Sequence, residues 1–380
     1  MDDHKVTPIT CAYLDHGYTT QTSGPCCHVP IPGVTSRAEM ICHPKLIEIR
    51  NSMNQGQWHP DCHRCQSVEE ENQTRDDQTL SQRQELNRRH QQYRKLFPNK
   101  DFTVDTLLYL TVDVGRACNI QCRSCGPYYS SKWINEYNTL PEQLQFTKPL
   151  EINIWPSDNY AEDQDDFSNL VTVDILGGEP IYNIKSYGLL KRILDATKGQ
   201  TNLHIITNGT LLIDFEKYHW LLDFNHIAIT VSIDGIGSTG EFIRTGSSWV
   251  DVRRNIQTYQ QTSDRINVNA HITHSLLNIF EITKIRAWCT EWHVTPIKNL
   301  TIVQYPKHLT YSVLTDSEKA DVVQRLTNTA ADYLIPHIEN SQHDSEARSN
   351  FFKLMEHTLE YHNLYWRDLI PELSAVIKET

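Results

Sequence analysis

Residues 106–127 read TLLYLTVDVGRACNIQCRSCGP. The first nine form a short apolar run of strand length. The loop behind them places Cys118, Cys122 and Cys125 four and then three residues apart. A structural zinc site wants four ligands in a closed tetrahedral shell, and this loop offers three with one position open. A strand leading straight into such a loop fits a parallel α/β sheet, where sites gather at the carboxyl ends of the strands.

Further runs of the same kind follow: VTVDILGG (171–178), NLHIITNG (202–209), HIAITVSIDG (226–235), INVNAHIT (266–273) and NLTIVQY (299–305). Between several of them lie helical segments, IKSYGLLKRILDATK, FEKYHWLLDF, WVDVRRNIQTYQQ and FEITKIRAWCTEW. Strand–helix alternation implies a parallel sheet, and about six units favour a barrel over a short open sheet. The expected fold is therefore α/β, a partial (β/α)6 TIM-like barrel over 99–310. GGEP, TNGT and SIDG then follow successive strands and share one rim with the cysteine loop.

Outside this core, residues 1–98 are turn-rich and poor in apolar side chains, so a metal is the expected staple for a cysteine-rich amino-terminal domain. Within 66–96 the second half reads as a solvated helix. Residues 311–380 are expected to be a helical extension: Thr315 and Glu318 form a capping box, with Val322, Val323, Leu326, Ala330 and Leu334 as an apolar face. A second helix is expected over FFKLMEHTLEYH.

The chain has 380 residues and a net charge of -12, a balance that argues against broad affinity for nucleic acid. No apolar run approaches the roughly eighteen residues of a membrane span, and the start carries no export signal, so a cytoplasmic protein is expected. Ten cysteines are too sparse for a disulfide scaffold. Their clustering, at 11, 26, 27, 62 and 65 and again at 118, 122 and 125, reads as metal sites, while Cys42 and Cys289 read as structural. His59 and His63 stand beside the amino-terminal cysteines as alternative ligands.

The spacing of Cys118, Cys122 and Cys125 is that of radical S-adenosylmethionine (SAM) enzymes. Taken with GGEP, SIDG and FIRTGSSW, nearly the whole chain resembles members of that family carrying a twitch/SPASM-type auxiliary-cluster domain. The resemblance implies a [4Fe-4S] cluster on the three thiolates, its open iron binding SAM. One-electron cleavage then yields a 5′-deoxyadenosyl radical that abstracts hydrogen from a substrate. It further assigns Gly177, Gly178 and Glu179 to the methionine ammonium, Ser232 and Asp234 to the ribose and carboxylate region, and Arg244 to the SAM carboxylate. Asn208 reads equally as a SAM contact or a turn residue, and Asn278 as a nucleoside neighbour or a helix cap. Ser124 stands where the family often has an aromatic residue.

By the same resemblance, Cys11, Cys26, Cys62 and Cys65 hold an auxiliary iron–sulfur cluster, with zinc the competing occupant and Cys27 the competing ligand. The implied substrate is a peptide or protein residue, and the implied reductant a flavodoxin- or ferredoxin-type protein. Since cysteine-rich and helical segments occupy the ends, no leader-binding domain is expected. A small metabolite, nucleotide or sugar substrate is the first alternative. A non-SAM redox protein and an RNA-modifying enzyme follow.

Overall fold

The computed structural model describes residues 8–20, 22–72, 80–145, 165–182, 186–297 and 300–378. Seven strands form one parallel sheet: β1 (Gly17–Thr19), β2 (Tyr109–Asp113), β3 (Thr172–Leu176), β4 (Asn202–Thr207), β5 (His226–Ser232), β6 (Ile266–His271) and β7 (Thr295–Pro296). Their order across the sheet is their order in the chain. Nowhere does it reverse, so the chain winds in one direction as a barrel does, not in two as a doubly wound sheet does.

Seven helices of the fold matter here: α1 (Ala12–His16), α2 (Gln82–Leu96), α3 (Ser186–Thr197), α4 (Trp249–Thr262), α5 (Ile282–Glu291), α6 (Asp316–Leu326) and α7 (Ser345–His362). On one sheet face Leu110, Val112, Val173, Ile175, Leu203, Ile205, Ile227 and Ile229 are buried in the core shared with Leu190 and Ile193 of α3 and Ile256 of α4. The residues between them face the other way because strand side chains alternate. These include Thr111, Asp174, His204 and His271, all only partly buried, so this second face is polar.

Several expectations are corrected. NLTIVQY supplies only Thr301–Ile302, which pairs with Thr273–His274 in a separate ladder, while Thr295–Pro296 forms the last strand of the main sheet. A proline is tolerated there because an edge strand needs no donor on its outer side. FEKYHWLLDF forms a 3-10 turn over His219–Asp223, set by aromatic packing in which Tyr218 stacks on Tyr187 at 4.2 Å. The capping box of Thr315 and Glu318 is present, but its helix ends at Leu326, so Ala330 is exposed and Leu334 belongs to the next turn. The solvated helix of the 66–96 stretch is α2, while residues 73–79 lie outside the described residues.

The amino-terminal segment is less apolar-poor in effect than its composition implies. Leu14, Tyr18, Val29, Ile31, Met40, Leu46, Ile49 and Met53 all enter the main core. Strand β1 pairs with β2 in register Gly17↔Tyr109 to Thr19↔Thr111. Helices α1 and α2 cover the start of the polar face, where His90 Nδ1 lies 2.7 Å from Tyr109 Oη and Tyr13 meets the Tyr109 ring edge-on. Among the described residues, no helix is long and apolar enough to cross a membrane.

Candidate active site

The three-cysteine loop leaves β2 at Asp113, a buried carboxylate pushed up to about 6 by burial, against the opposing Gly115 amide bonded to it. The loop then runs along the turn after β3. The Val114 amide donates to Leu176 O at 2.8 Å, the Gly178 amide to Gly115 O at 2.7 Å, and the Glu179 amide to Ala117 O at 2.8 Å. This crossing is why the turn is Gly-Gly. Gly177 has φ +141, and a Cβ on Gly178 would sit 2.6 Å from the carbonyl oxygens of Arg116 and Ala117. The two glycines thus admit the backbone of the cysteine loop itself.

Further on, Gln121–Cys122 pairs antiparallel with Arg244–Thr245, placing Arg244 opposite Cys122. Arg244 Nη1 donates to Asp234 Oδ2 at 2.7 Å, and Asp234 Oδ1 accepts from the Thr273 amide at 2.8 Å. Arg244 Nε is buried without a partner. Burial works against the Arg244 charge, yet the neighbouring Cys122 and Asp234 hold its pKa above the ordinary value. Burial pushes the Cys122 thiol up to about 11, with Arg244 pulling the other way, and pushes Cys125 up further.

The loop is also anchored from beneath. Arg123 is buried, with Nη1 3.3 Å from Glu136 Oε1, while Glu136 Oε2 accepts from Gln121 Nε2 at 2.9 Å and meets His362 Nε2 of α7 at 2.8 Å. From the side, Asn208 Nδ2 donates to Asn119 Oδ1 at 2.9 Å and lies 3.9 Å from Cys118 Sγ. Arg123, Glu136 and Asn119 were not singled out from the sequence, since lone polar residues in a loop carry no pattern.

The remaining rim residues are placed as follows. Glu179 is fully buried, and its carboxylate accepts from Thr207 Oγ1 at 2.8 Å, the Asn208 amide at 2.7 Å and the Ile181 amide at 3.1 Å. Burial raises its pKa against those donors. Asn208 Oδ1 accepts from the Thr210 amide at 2.9 Å, so Asn208 is a turn residue that also ties the turn to the cysteine loop. Asn278 completes a capping box with Ser275 and donates to Thr273 O at 2.9 Å, so both amide ends stay within its own turn. Ser232 ends β5 and is partly exposed, and Asp234 lies beyond the strand.

In the amino-terminal segment, Cys11, Cys26, Cys62 and Cys65 line one cavity with Tyr13, Trp58 and Arg83. Cys27 is outside it, exposed, with Sγ 3.4 Å from Gln82 Oε1. Neither His59 nor His63 lines the cavity. Burial pushes Cys11 up to about 12 and Cys62 up to about 11. Soft sulfur donors of this kind suit zinc, copper(I) or iron–sulfur clusters, whose binding requires the thiolate. Among the described residues, no group of three or more His, Cys, Asp or Glu side chains could hold a single metal ion. Cys289 is fully buried in α5, as a structural thiol should be, whereas Cys42 is exposed.

Fold and site together define an α/β protein of singly wound parallel strands with a three-cysteine loop on its carboxyl rim. No protein-family model and no curated protein matches the chain. Among solved structures, it is similar to native anSMEcpe with bound AdoMet, at 14% identity over 57% of this chain and 62% of that one, with a TM-score of 0.36. It is also similar to SuiB of Streptococcus suis, at 15% identity over 79% and 63% of the two chains, TM-score 0.35. For the same protein bound to precursor peptide SuiA, the values are 16%, 73% and 60%, again with a TM-score of 0.35. The chain spans 60–63% of the length of these three structures. Similarity this low carries no function from those proteins to this one.

Proposed function

We propose that this chain is a radical SAM enzyme in which Cys118, Cys122 and Cys125 hold a [4Fe-4S] cluster with one iron open to SAM. The observation carrying this reading is the pairing of Cys122 with Arg244 on the sheet's carboxyl rim, the guanidinium held by Asp234 and its Nε buried and unpartnered. A planar fork of donors with an unused N–H suits a carboxylate such as that of SAM. A redox protein without SAM chemistry would keep both cysteine sites but has no use for such a fork beside one of them.

The donor set fits: three thiols in a loop fixed on three sides, and a free cationic N–H beside them. When bound, the cluster and SAM supply a 5′-deoxyadenosyl radical that abstracts hydrogen from the substrate. The chain's own residues orient and exclude water. Gly177 and Gly178 seat the loop, Glu179 and Asn208 fix the neighbouring turn against Cys118, Asp234 aims Arg244, and Ser232 would contact the ribose of SAM. Asn278 spends one Nδ2–H and one Oδ1 lone pair on its own turn, which leaves its second N–H for a nucleoside. Cys11, Cys26, Cys62 and Cys65 hold a second, closed iron–sulfur cluster. The substrate is a peptide or protein residue, and the electron donor a flavodoxin- or ferredoxin-type protein of the cytoplasm.

The test is anaerobic reconstitution followed by SAM and dithionite, with 5′-deoxyadenosine measured by mass spectrometry. Product that disappears in Cys122→Ala is the expected result. Undiminished product in alanine variants of all three loop cysteines would end the assignment.

A further inference from the structure

The polar face of the sheet carries a line of titratable groups that the reading above leaves without a role. Asp174 Oδ1 on β3 lies 3.0 Å from His204 Nδ1 on β4, and His204 Nε2 lies 2.8 Å from Thr230 Oγ1 on β5. On β6, His271 Nε2 lies 3.1 Å from Thr301 Oγ1. These residues come from four adjacent strands or their extensions, and alternation turns them away from the apolar core. In a fold with one buried apolar face, polar residues aligned on the other face mark a surface that meets water or a ligand.

These groups lie on the face between the two cysteine sites, with His271, opposite Ser232, nearer the carboxyl rim than His204, which is level with Ala228. His271 lies within electrostatic range of Asp234, Arg244 and His204, and Arg244 stands opposite Cys122. At the other end, Asp174 lies within range of Tyr13, whose ring lines the amino-terminal cysteine cavity, and of Arg89 on α2. A molecule resting on this face would therefore have the rim loop at one end and the amino-terminal cavity at the other.

Of His204, His271 and His274, His271 alone keeps a ring nitrogen without a hydrogen-bond partner among the described residues. Both nitrogens of His204 are occupied by Asp174 and Thr230. His274 is likewise closed, with Nδ1 3.0 Å from Thr301 O and Nε2 2.6 Å from Tyr333 Oη. His271 differs: among the described residues its Nδ1 has no hydrogen-bond partner, and it is absent from the buried unpartnered atoms, so it is open to solvent. In the tautomer that donates Nε2–H to Thr301 Oγ1, Nδ1 presents a lone pair. Burial lowers the His271 pKa, Asp234 opposes this, and Arg244 and His204 add to it, which keeps the ring neutral at pH 7.

We propose that His271 Nδ1 is the proton acceptor for a substrate lying along this face, and that the substrate carries a protic N–H, O–H or S–H group at its reacting position. In this step the proton leaves the heteroatom for Nδ1, and the electron pair of the broken bond stays on the substrate. Thr301 is a positioning residue that holds the ring by its Nε2. The proposal rests on the radical SAM reading for its substrate, but its test does not depend on SAM.

The intact chain, purified anaerobically, is treated with limiting diethyl pyrocarbonate between pH 5 and 8, and labelled histidines are located by peptide mass spectrometry. His271 is expected to react roughly ten-fold faster at pH 7 than His274, with a rate that falls only below about pH 6.5, the ordinary imidazole midpoint. Labelling of His271 as slow as that of His274 would overturn the proposal. So would a rate already falling above that midpoint, because the nitrogen would then be protonated at neutral pH. Because 5′-deoxyadenosine formation is measured separately, failure of this idea and failure of the SAM reading are distinguishable.

Discussion

The two cysteine sites are built in opposite ways. The rim loop draws three thiols from eight consecutive residues and sets them beside the ion pair of Arg244 and Asp234. The amino-terminal cavity gathers four thiols from positions 11, 26, 62 and 65 and lines the remaining wall with Tyr13, Leu14, Val29, Met53 and Trp58 beside His28, Asp61, Gln82 and Arg83. A site that must bind and release a charged small molecule keeps an unused charged donor within reach, as Arg244 Nε is, whereas the Arg83 donors are taken up by Glu69 and Thr10. A site that needs only to hold its occupant closes around it with apolar and aromatic side chains. On the proposed reading, the first site exchanges its ligand and the second keeps its occupant.

The sharpest way to break that contrast is to empty one site at a time. Cys62→Ala with Cys65→Ala should remove about four irons per chain while some SAM cleavage continues, whereas Cys122→Ala should remove cleavage entirely. Iron analysis and 5′-deoxyadenosine yield on the same samples check this. Equal loss of cleavage from both variants would mean that the two sites are one functional unit.

A smaller effect is expected beneath the rim loop. Glu136→Gln leaves Arg123 buried without its counter-charge, which should cost about 3–5 kcal/mol in denaturant unfolding. The ion pair at the wall of the amino-terminal cavity, Arg83 with Glu69, is less buried, so Glu69→Gln there should cost less. Acid has a related effect. Burial pushes His274 and His308 each down to about 4. Because the unfolded chain takes up these protons near pH 6.5 and the folded chain only near 4, stability falls as pH drops through that window. The loss is on the order of 2 kcal/mol per histidine by pH 5. Glu136, whose pKa is lowered despite its burial by His362 and Arg123, adds a further loss only below about 4.5. Unfolding midpoints at pH 7, 6 and 5 resolve the first part.

The smallest change separates adjacent residues. Cys27→Ser should leave iron content unchanged because Cys27 is exposed outside the cavity, whereas Cys26→Ser should reduce it. Equal effects would show that the pair exchanges roles.

Much of the rim was legible because its chemistry lies in consecutive residues at strand ends. The parallel sheet was legible for the same reason, as apolar runs bounded by Gly, Asn and Asp. What escaped was whatever depends on alignment between strands. Asp174 and His204 are scattered polar residues in apolar runs and His271 one of several in its strand; only strand register pairs Asp174 with His204 and puts His271, opposite Ser232, farther toward the carboxyl end of the same face. Glu179 shows the reverse: its motif was clear, but its carboxylate is held by Thr207, Asn208 and Ile181 and serves the loop's shape. Strand β1, only three residues long, is too short for periodicity to reveal.

That short strand has a consequence for how the molecule can be divided. Gly17–Thr19 occupies the hydrogen-bonding edge of Tyr109–Thr111. Removing the amino-terminal segment would strip this cover and leave β2 as a bare edge, a ready template for pairing with another chain. The cysteine-rich segment is therefore no detachable cassette. A truncated chain starting near residue 99 should be prone to aggregate even with its own cysteine loop intact, so the two parts of this protein should be expressed and engineered together.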